Sequence, residues 1–260
     1  MTLWMAVALL VMIAGMAFMT LWKPKDPWQA DNLPPEGSSD QFRRKGIIDA
    51  DASSLLVPVP ATVDSRPCFL VIDTETTGLP ADETQFISGV DAPAPVSVGW
   101  QLLDFRFRCI EEVVCRLSTD EPVSPEAAAL HGITDASLHG DDPHEVYARL
   151  LGAVSKAKVL SAHNLAFHRS VLVYDMRRRG FDPSPLFSLD DYCTMEAGVD
   201  FTHLYGSCGT WKLPRLTELF GVLYFGLPGV RTTYREKVRN DIRLVAACLH
   251  RMNPTTPSLE

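Results

Sequence analysis

Five consecutive apolar residues, Cys68-Phe69-Leu70-Val71-Ile72, run without a break into the polar segment Asp73-Thr-Glu75-Thr-Thr-Gly78. A continuous, partly β-branched apolar run of this length suits a central strand buried on both faces and leading into a turn. Side chains alternate along a strand, so Asp73 and Glu75, two apart, point to the same side at its end. Two hard oxygen donors placed together suggest a divalent-cation site of the Mg²⁺ or Mn²⁺ kind. An ordinary acidic turn is the competing reading of the same residues.

The rest of the chain supplies partners for such a strand. Val96, Val98, Trp100 and Leu102 alternate with polar or small residues, and Ile110 to Leu117 forms a second β-branched run after a short connection, which predicts a hairpin. Ser124-Pro125-Glu126 opens a short helix with a capping residue and a proline in its first turn. Pro143 opens a longer helix whose Val146, Leu150, Leu151 and Val154 recur at helical spacing. Lys158 to Ala162 is predicted as a fourth strand, and the helix after it carries Phe167, Val171 and Tyr174 on one stripe, closed by Arg177-Arg178-Arg179 before Gly180. A fifth strand is expected over Leu189 to Thr194 and a last helix from about Tyr234 to Met252, with Val238, Ile242, Val245 and Leu249 as its apolar stripe. This order of elements indicates an α/β domain with a mixed sheet over residues 67–252.

Ahead of it, no side chain from Met1 to Trp22 ionises, and about 20 apolar residues at 1.5 Å each span a hydrocarbon core of roughly 30 Å. Trp4 and Trp22 stand at its two ends, as interfacial anchors do. Residues 1–22 therefore read as a retained transmembrane helix. A cleaved secretory signal is the alternative, against which stand the missing basic n-region and the length of the run. Lys23, Lys25, Arg43, Arg44 and Lys45 follow the span, so the positive-inside rule puts the C-terminal domain in the cytoplasm, a single-pass arrangement that six scattered, unpaired cysteines also suit. Residues 23–66, rich in Pro, Ser and Asp, read as a linker of which Ile47 to Val59 could pack on the domain. Residues 253–260 read as a loose tail.

Six segments resemble, in order, the histidine subtype of the DEDD 3′-to-5′ exonuclease superfamily: VIDTETTGLP, SVGWQLLD, VSPEAAALHGIT, SAHNLAFHRSVL, CTMEAGVDF and WKLPRLTELFG. The polymerase proofreading subunit and ribonuclease T belong to that subtype. The resemblance covers roughly residues 68–252 and implies a ribonuclease H-like fold, a five-stranded mixed sheet flanked by helices. It also implies removal of nucleotides from the 3′ ends of single-stranded DNA or RNA by two divalent metal ions, Mg²⁺ or Mn²⁺.

Carried over by that resemblance, Asp73 bridges both ions and Glu75 holds one, while Thr76, Thr77, Gly78 and Leu79 meet the terminal nucleotide. His163, Asn164 and Phe167 match the substrate side of the second motif, HNxxFD, whose aspartate position is His168 in this chain. In the third motif, HxAxxD, Asp241 matches the aspartate, but the histidine position is Glu236 and the alanine position Val238. Asp73, Glu75 and Asp241 are thus the expected ligands of the ion that activates water. His168 offers a nitrogen donor on the side of the second ion, better suited to Mn²⁺ or Zn²⁺ than to Mg²⁺, and Glu236 is a candidate general base.

Two readings stay open: an active exonuclease with an altered site, or a catalytically silent nucleic-acid or protein-binding module at the membrane. A net charge of −8 excludes bulk attraction to a phosphate backbone. Local attraction is still available, because Arg231, Arg235, Lys237, Arg239 and Arg243 outnumber Glu236 and Asp241 around the last motif. That group is either a phosphate-steering patch or a solvated helix face. His131 is expected to pack a helix turn, and Trp211 and Lys212 to anchor a turn before a helix. No Walker loop, dinucleotide turn, serine elbow or HExxH is present.

Overall fold

The computed structural model describes residues 56–80, 86, 92–137, 139–207, 209–230 and 236–252. The expected transmembrane segment, most of the linker and the tail lie outside the described residues, among which no helix is long and apolar enough to cross a membrane.

Five strands form one mixed sheet: β1 (Pro67–Thr76), β2 (Pro95–Asp104), β3 (Cys109–Arg116), β4 (Val159–Ala162) and β5 (Asp190–Cys193). Their order is β3-β2-β1-β4-β5. β1 pairs antiparallel with β2 and parallel with β4, so the strand bearing Asp73 and Glu75 lies at the centre. The sequence ended this strand at Ile72; in the structure the ladder runs on through Glu75, opposite Ser97. Pairing on both sides leaves nearly all of β1 buried, its two carboxylates included.

Seven α-helices and two short 3₁₀ helices (Asp135–Ser137 and Ser184–Phe187) complete the described fold, the α-helices being α1 (Pro125–His131), α2 (Pro143–Val154), α3 (Leu165–Arg178), α4 (Thr194–Ala197), α5 (Val199–Thr202), α6 (Leu216–Phe225) and α7 (Lys237–Met252). Local chemistry marks their starts. Ser124 accepts a hydrogen bond from the Ala127 amide at the head of α1, Asp142 one from the His144 amide at the head of α2, and both helices carry proline in their first turn. Glu218 in the first turn of α6 accepts from the Arg215 amide at 2.8 Å and from Lys212 Nζ at 2.7 Å, so the turn expected at Lys212 is an ion-paired cap.

Alternation along β1 sorts its side chains between two cores. Leu70 and Ile72 join Trp100, Tyr147, Leu150 and Leu172 on the α2 and α3 side. Phe69 and Val71 join Ile242, Val245 and Leu249 on the α7 side. Each such fully buried aliphatic or aromatic side chain stabilises by about 1.5–3 kcal/mol, enough in sum to carry carboxylates into a place where burial costs each of them several kcal/mol. By the same parity, Asp73 and Glu75 continue the row of Phe69 and Val71 toward α7, and Thr74 continues the row of Leu70 and Ile72 toward α3.

Part of the linker packs on the domain. Leu56 is buried against the α6 and α7 cluster that includes Phe220 and Met252, and Cys109 exchanges backbone hydrogen bonds with Val59 and Ala61, which covers the outer end of β3.

Candidate metal and nuclease site

The alternation along β1 and the helical period of α7 converge on one point. Asp241 lies on the face of α7 that also presents Val245 to β1, and Asp73, Glu75 and Asp241 each bring one carboxylate oxygen within 4.8 Å of the others. Asp73 is 6% exposed, and its Oδ2 is buried without a hydrogen-bond partner. Burial, reinforced by Asp241 and Glu75, raises the pKa of Asp73 well above the usual carboxylate range. Burial also raises that of Glu75, against the pull of Lys237. An orphaned, buried carboxylate oxygen among two other carboxylates is what a hard divalent cation relieves, so these three residues fit such an ion.

A fourth group stands among them. Lys237, the first residue of α7, lies one turn before Asp241 and directs its Nζ to Asp241 Oδ2 at 2.5 Å and to Glu75 Oε1 at 2.9 Å. Burial works against its charge, but Asp241, Glu75 and Asp73 outweigh that cost and hold the amine protonated far above its ordinary range. The sequence placed Lys237 in a phosphate-steering or solvated patch; the structure moves it into the carboxylate cluster. The same correction applies to the described remainder of that patch. Arg239 Nη1 and Arg243 Nε each reach Glu112 at 2.7 Å, and Arg239 Nε reaches Glu236 at 3.0 Å, so these guanidinium groups are spent on carboxylates. Arg231 and Arg235 lie outside the described residues.

His168 sits on α3 and is buried. Its Nδ1 accepts from the Thr74 amide at 3.1 Å and faces Thr74 Oγ1 at 2.9 Å; the ring is therefore the Nε2-protonated tautomer, donating to the His163 carbonyl at 3.1 Å, with Asp73 Oδ1 3.3 Å away. Burial, then the nearby Lys237 charge, pushes its pKa down to about 3, so the ring is neutral. Sequence reasoning assigned this imidazole a free nitrogen for a second ion. Both nitrogens are instead engaged by the protein: the parity of β1 turns the Thr74 hydroxyl toward α3, and the Thr74 amide, past the last β1–β4 pair at Val71 and Ser161, donates to the ring.

Glu236 lines a small cleft together with Glu75, Ser97, Arg116, His131 and Lys237. Its carboxylate accepts from Arg239 Nε through Oε2 at 3.0 Å. His131 occupies the same cleft as a clip: its Nε2 donates to the Thr76 carbonyl at 3.0 Å and its Nδ1 accepts from the Ile133 amide, tying the end of β1 to the end of α1.

The turn after β1 is held from three sides. Thr76 Oγ1 donates to the Gly78 carbonyl at 2.7 Å, the Thr77 amide donates to Ala94, and the Thr77 carbonyl accepts from the Ser124 amide. Leu79, just beyond, is 62% exposed. At the head of α3, His163 Nε2 donates to the Pro214 carbonyl at 2.9 Å, and burial pushes its pKa down to about 4. Asn164 is in the left-handed region at φ 71°, and Phe167 packs edge-on to His168 and tilted on Phe86. His163 is thus committed to holding the segment before α6, while Leu79 offers an open apolar surface.

The exonuclease family model, RNase_T, matches residues 70–222. The chain belongs to this family, within the DEDD 3′-to-5′ exonuclease superfamily. The match begins within β1, takes in His168 and ends before α7, so it includes Asp73 and Glu75 but not Asp241. No curated protein matches the chain. Among solved structures, Escherichia coli exonuclease I in complex with a 5cy-dT13 oligonucleotide is similar at a TM-score of 0.54 and 18% identity, over 72% of this chain and 40% of that one. The same enzyme with dA16 gives a TM-score of 0.54 at 18% identity over 70% and 40%. A product-bound structure of exonuclease I gives 0.54 at 18% over 72% and 43%. The likeness is one of fold, and this chain spans about two fifths of the length of exonuclease I.

Proposed function

We propose that this domain hydrolyses phosphodiester bonds at the 3′ ends of single-stranded nucleic acid, held at the cytoplasmic face of a membrane by residues 1–22. The observation that carries the reading is the convergence of Asp73 and Glu75, from β1, with Asp241, from α7, around a buried oxygen that has no partner. These three residues would hold a divalent ion, which when bound acidifies water and offsets charge on the leaving oxygen. The chain's own residues do the positioning. The Thr76-Thr77 turn, clamped by Ala94, Ser124 and His131, leads into the exposed Leu79, which would serve as a surface for the terminal base. Family membership and the exonuclease I fold, known with oligonucleotides bound, support a nucleic-acid end as the substrate.

The test is a 5′-labelled oligonucleotide incubated with the full chain in detergent and Mg²⁺ or Mn²⁺. Stepwise shortening from the 3′ end, lost in Asp73→Ala and in Asp241→Ala, is the expected result. Product that persists in Asp73→Ala overturns the reading. His168 and Lys237 favour a second reading, a silent end-binding module, which predicts retention of the oligonucleotide with no product under either metal. DNA and RNA strands run side by side decide the sugar. Flotation of the full chain with vesicles, lost on removal of residues 1–22, tests the tether.

A further inference from the structure

Lys237 is in the wrong place for any local purpose. A cation in the first turn of a helix opposes the helix dipole, and Lys four residues before Asp is the weaker order for a helical ion pair. Neither local effect accounts for an ammonium at the start of α7, with its side chain only 20% exposed. What accounts for it is long-range: three converging carboxylates, one of them with an orphaned oxygen, need positive charge, and Lys237 Nζ supplies it to Glu75 and Asp241 at once. A Mg²⁺ or Mn²⁺ ion ligated at about 2.1 Å by the same oxygens requires the space between them. The ammonium already lies against two of the three residues that would form that shell.

Resting on the reading of this cluster as a metal site, we infer that Lys237 is a built-in counter-ion that a divalent metal must expel in order to bind. The domain folds around its own cation, and the metal loads by exchange with it. Three consequences follow. Metal affinity is lowered by the tethered competitor. Folding does not require metal. Loading moves the Lys237 side chain out of the cluster and toward the cleft it shares with Glu236.

The experiment is a Mn²⁺ titration of the full chain in detergent, read by electron paramagnetic resonance for free ion and by thermal unfolding with and without Mn²⁺. Wild type is compared with Lys237→Met, which keeps the stem and removes the charge. Exchange predicts at least tenfold tighter Mn²⁺ in Lys237→Met, and a larger Mn²⁺-induced rise in Tm than in wild type. Equal affinities and equal Tm rises overturn the inference while leaving the metal site intact. Should Lys237→Met not fold even with Mn²⁺, wild type alone decides through amine-reactive labelling read by mass spectrometry. Labelling of Lys237 that rises at saturating Mn²⁺ supports exchange, and labelling that does not change overturns it. Failure of both proteins to bind Mn²⁺ sinks the metal site itself, and with it the proposed function. Tight exchange without strand shortening leaves this inference standing and removes only the nuclease reading.

Discussion

Replacing His168 by Gln tests the geometry of the site without touching a carboxylate. Gln carries an acceptor and a donor, so it can take the Thr74 amide and give to the His163 carbonyl as the imidazole does, but it does not titrate. In the folded protein burial holds the His168 pKa near 3, whereas an unconstrained imidazole titrates near 6.5. The unfolded chain therefore takes up the proton first. The contribution of His168 is complete above pH 6.5 and is lost as pH falls from there toward 3. At 1.36 kcal/mol per pKa unit, protonation of the unfolded imidazole between pH 7 and pH 5 removes about 2 kcal/mol of stability. His163 adds a loss of the same sign and similar size, but it is present in both proteins and cancels in the comparison. Urea unfolding followed by tryptophan fluorescence, with Trp100 as a fully buried reporter, should show wild type losing about 2 kcal/mol more than His168→Gln between pH 7 and pH 5. Parallel pH curves for the two proteins would falsify the neutral, doubly engaged imidazole.

Three further outcomes follow from the packing. Asp175 is fully buried and accepts from Tyr147 Oη, Arg178 Nη2 and Arg179 Nε at 2.5, 2.6 and 2.7 Å, so Asp175→Ala should cost about 3–5 kcal/mol in urea unfolding, with about 1–3 kcal/mol of it recovered in a variant that also removes the Tyr147 hydroxyl. Gly99 pairs with Asp73 across the sheet, and a Cβ there would stand 3.0 Å from Val238 Cγ2 on α7; Gly99→Val should cost about 1–3 kcal/mol and weaken Mn²⁺ binding together with stability, because it pushes Asp241 away from Asp73. The double change His168→Asp with Glu236→His restores the superfamily pattern at both positions; strand shortening at least tenfold faster than the parent is expected in the labelled-oligonucleotide assay, and no gain refutes the assignment of those two positions.

Much of this protein is written in local pattern. Period-two alternation places Asp73 and Glu75 on one face of a central strand, helical spacing places Asp241 on the stripe of α7 that meets it, and serine or aspartate caps with first-turn prolines mark where α1 and α2 start. These features are legible because each depends on residues within a turn or two of one another, and the ordered motifs of the exonuclease family rest on the same short segments. Long-range packing decided the rest. Lys237 looks like one more basic residue in a run of them until the sheet brings Glu75 to it across 162 residues of chain. His168 looks like a metal ligand until β1 runs on past the end of its ladder with β4 and offers the Thr74 amide and hydroxyl to the ring on α3. Periodicity says which side of an element a group takes, whereas the partner it meets there depends on which elements the hydrophobic cores hold together. Charge compensation between distant groups leaves no mark in either one's neighbourhood, and so it was settled only in three dimensions.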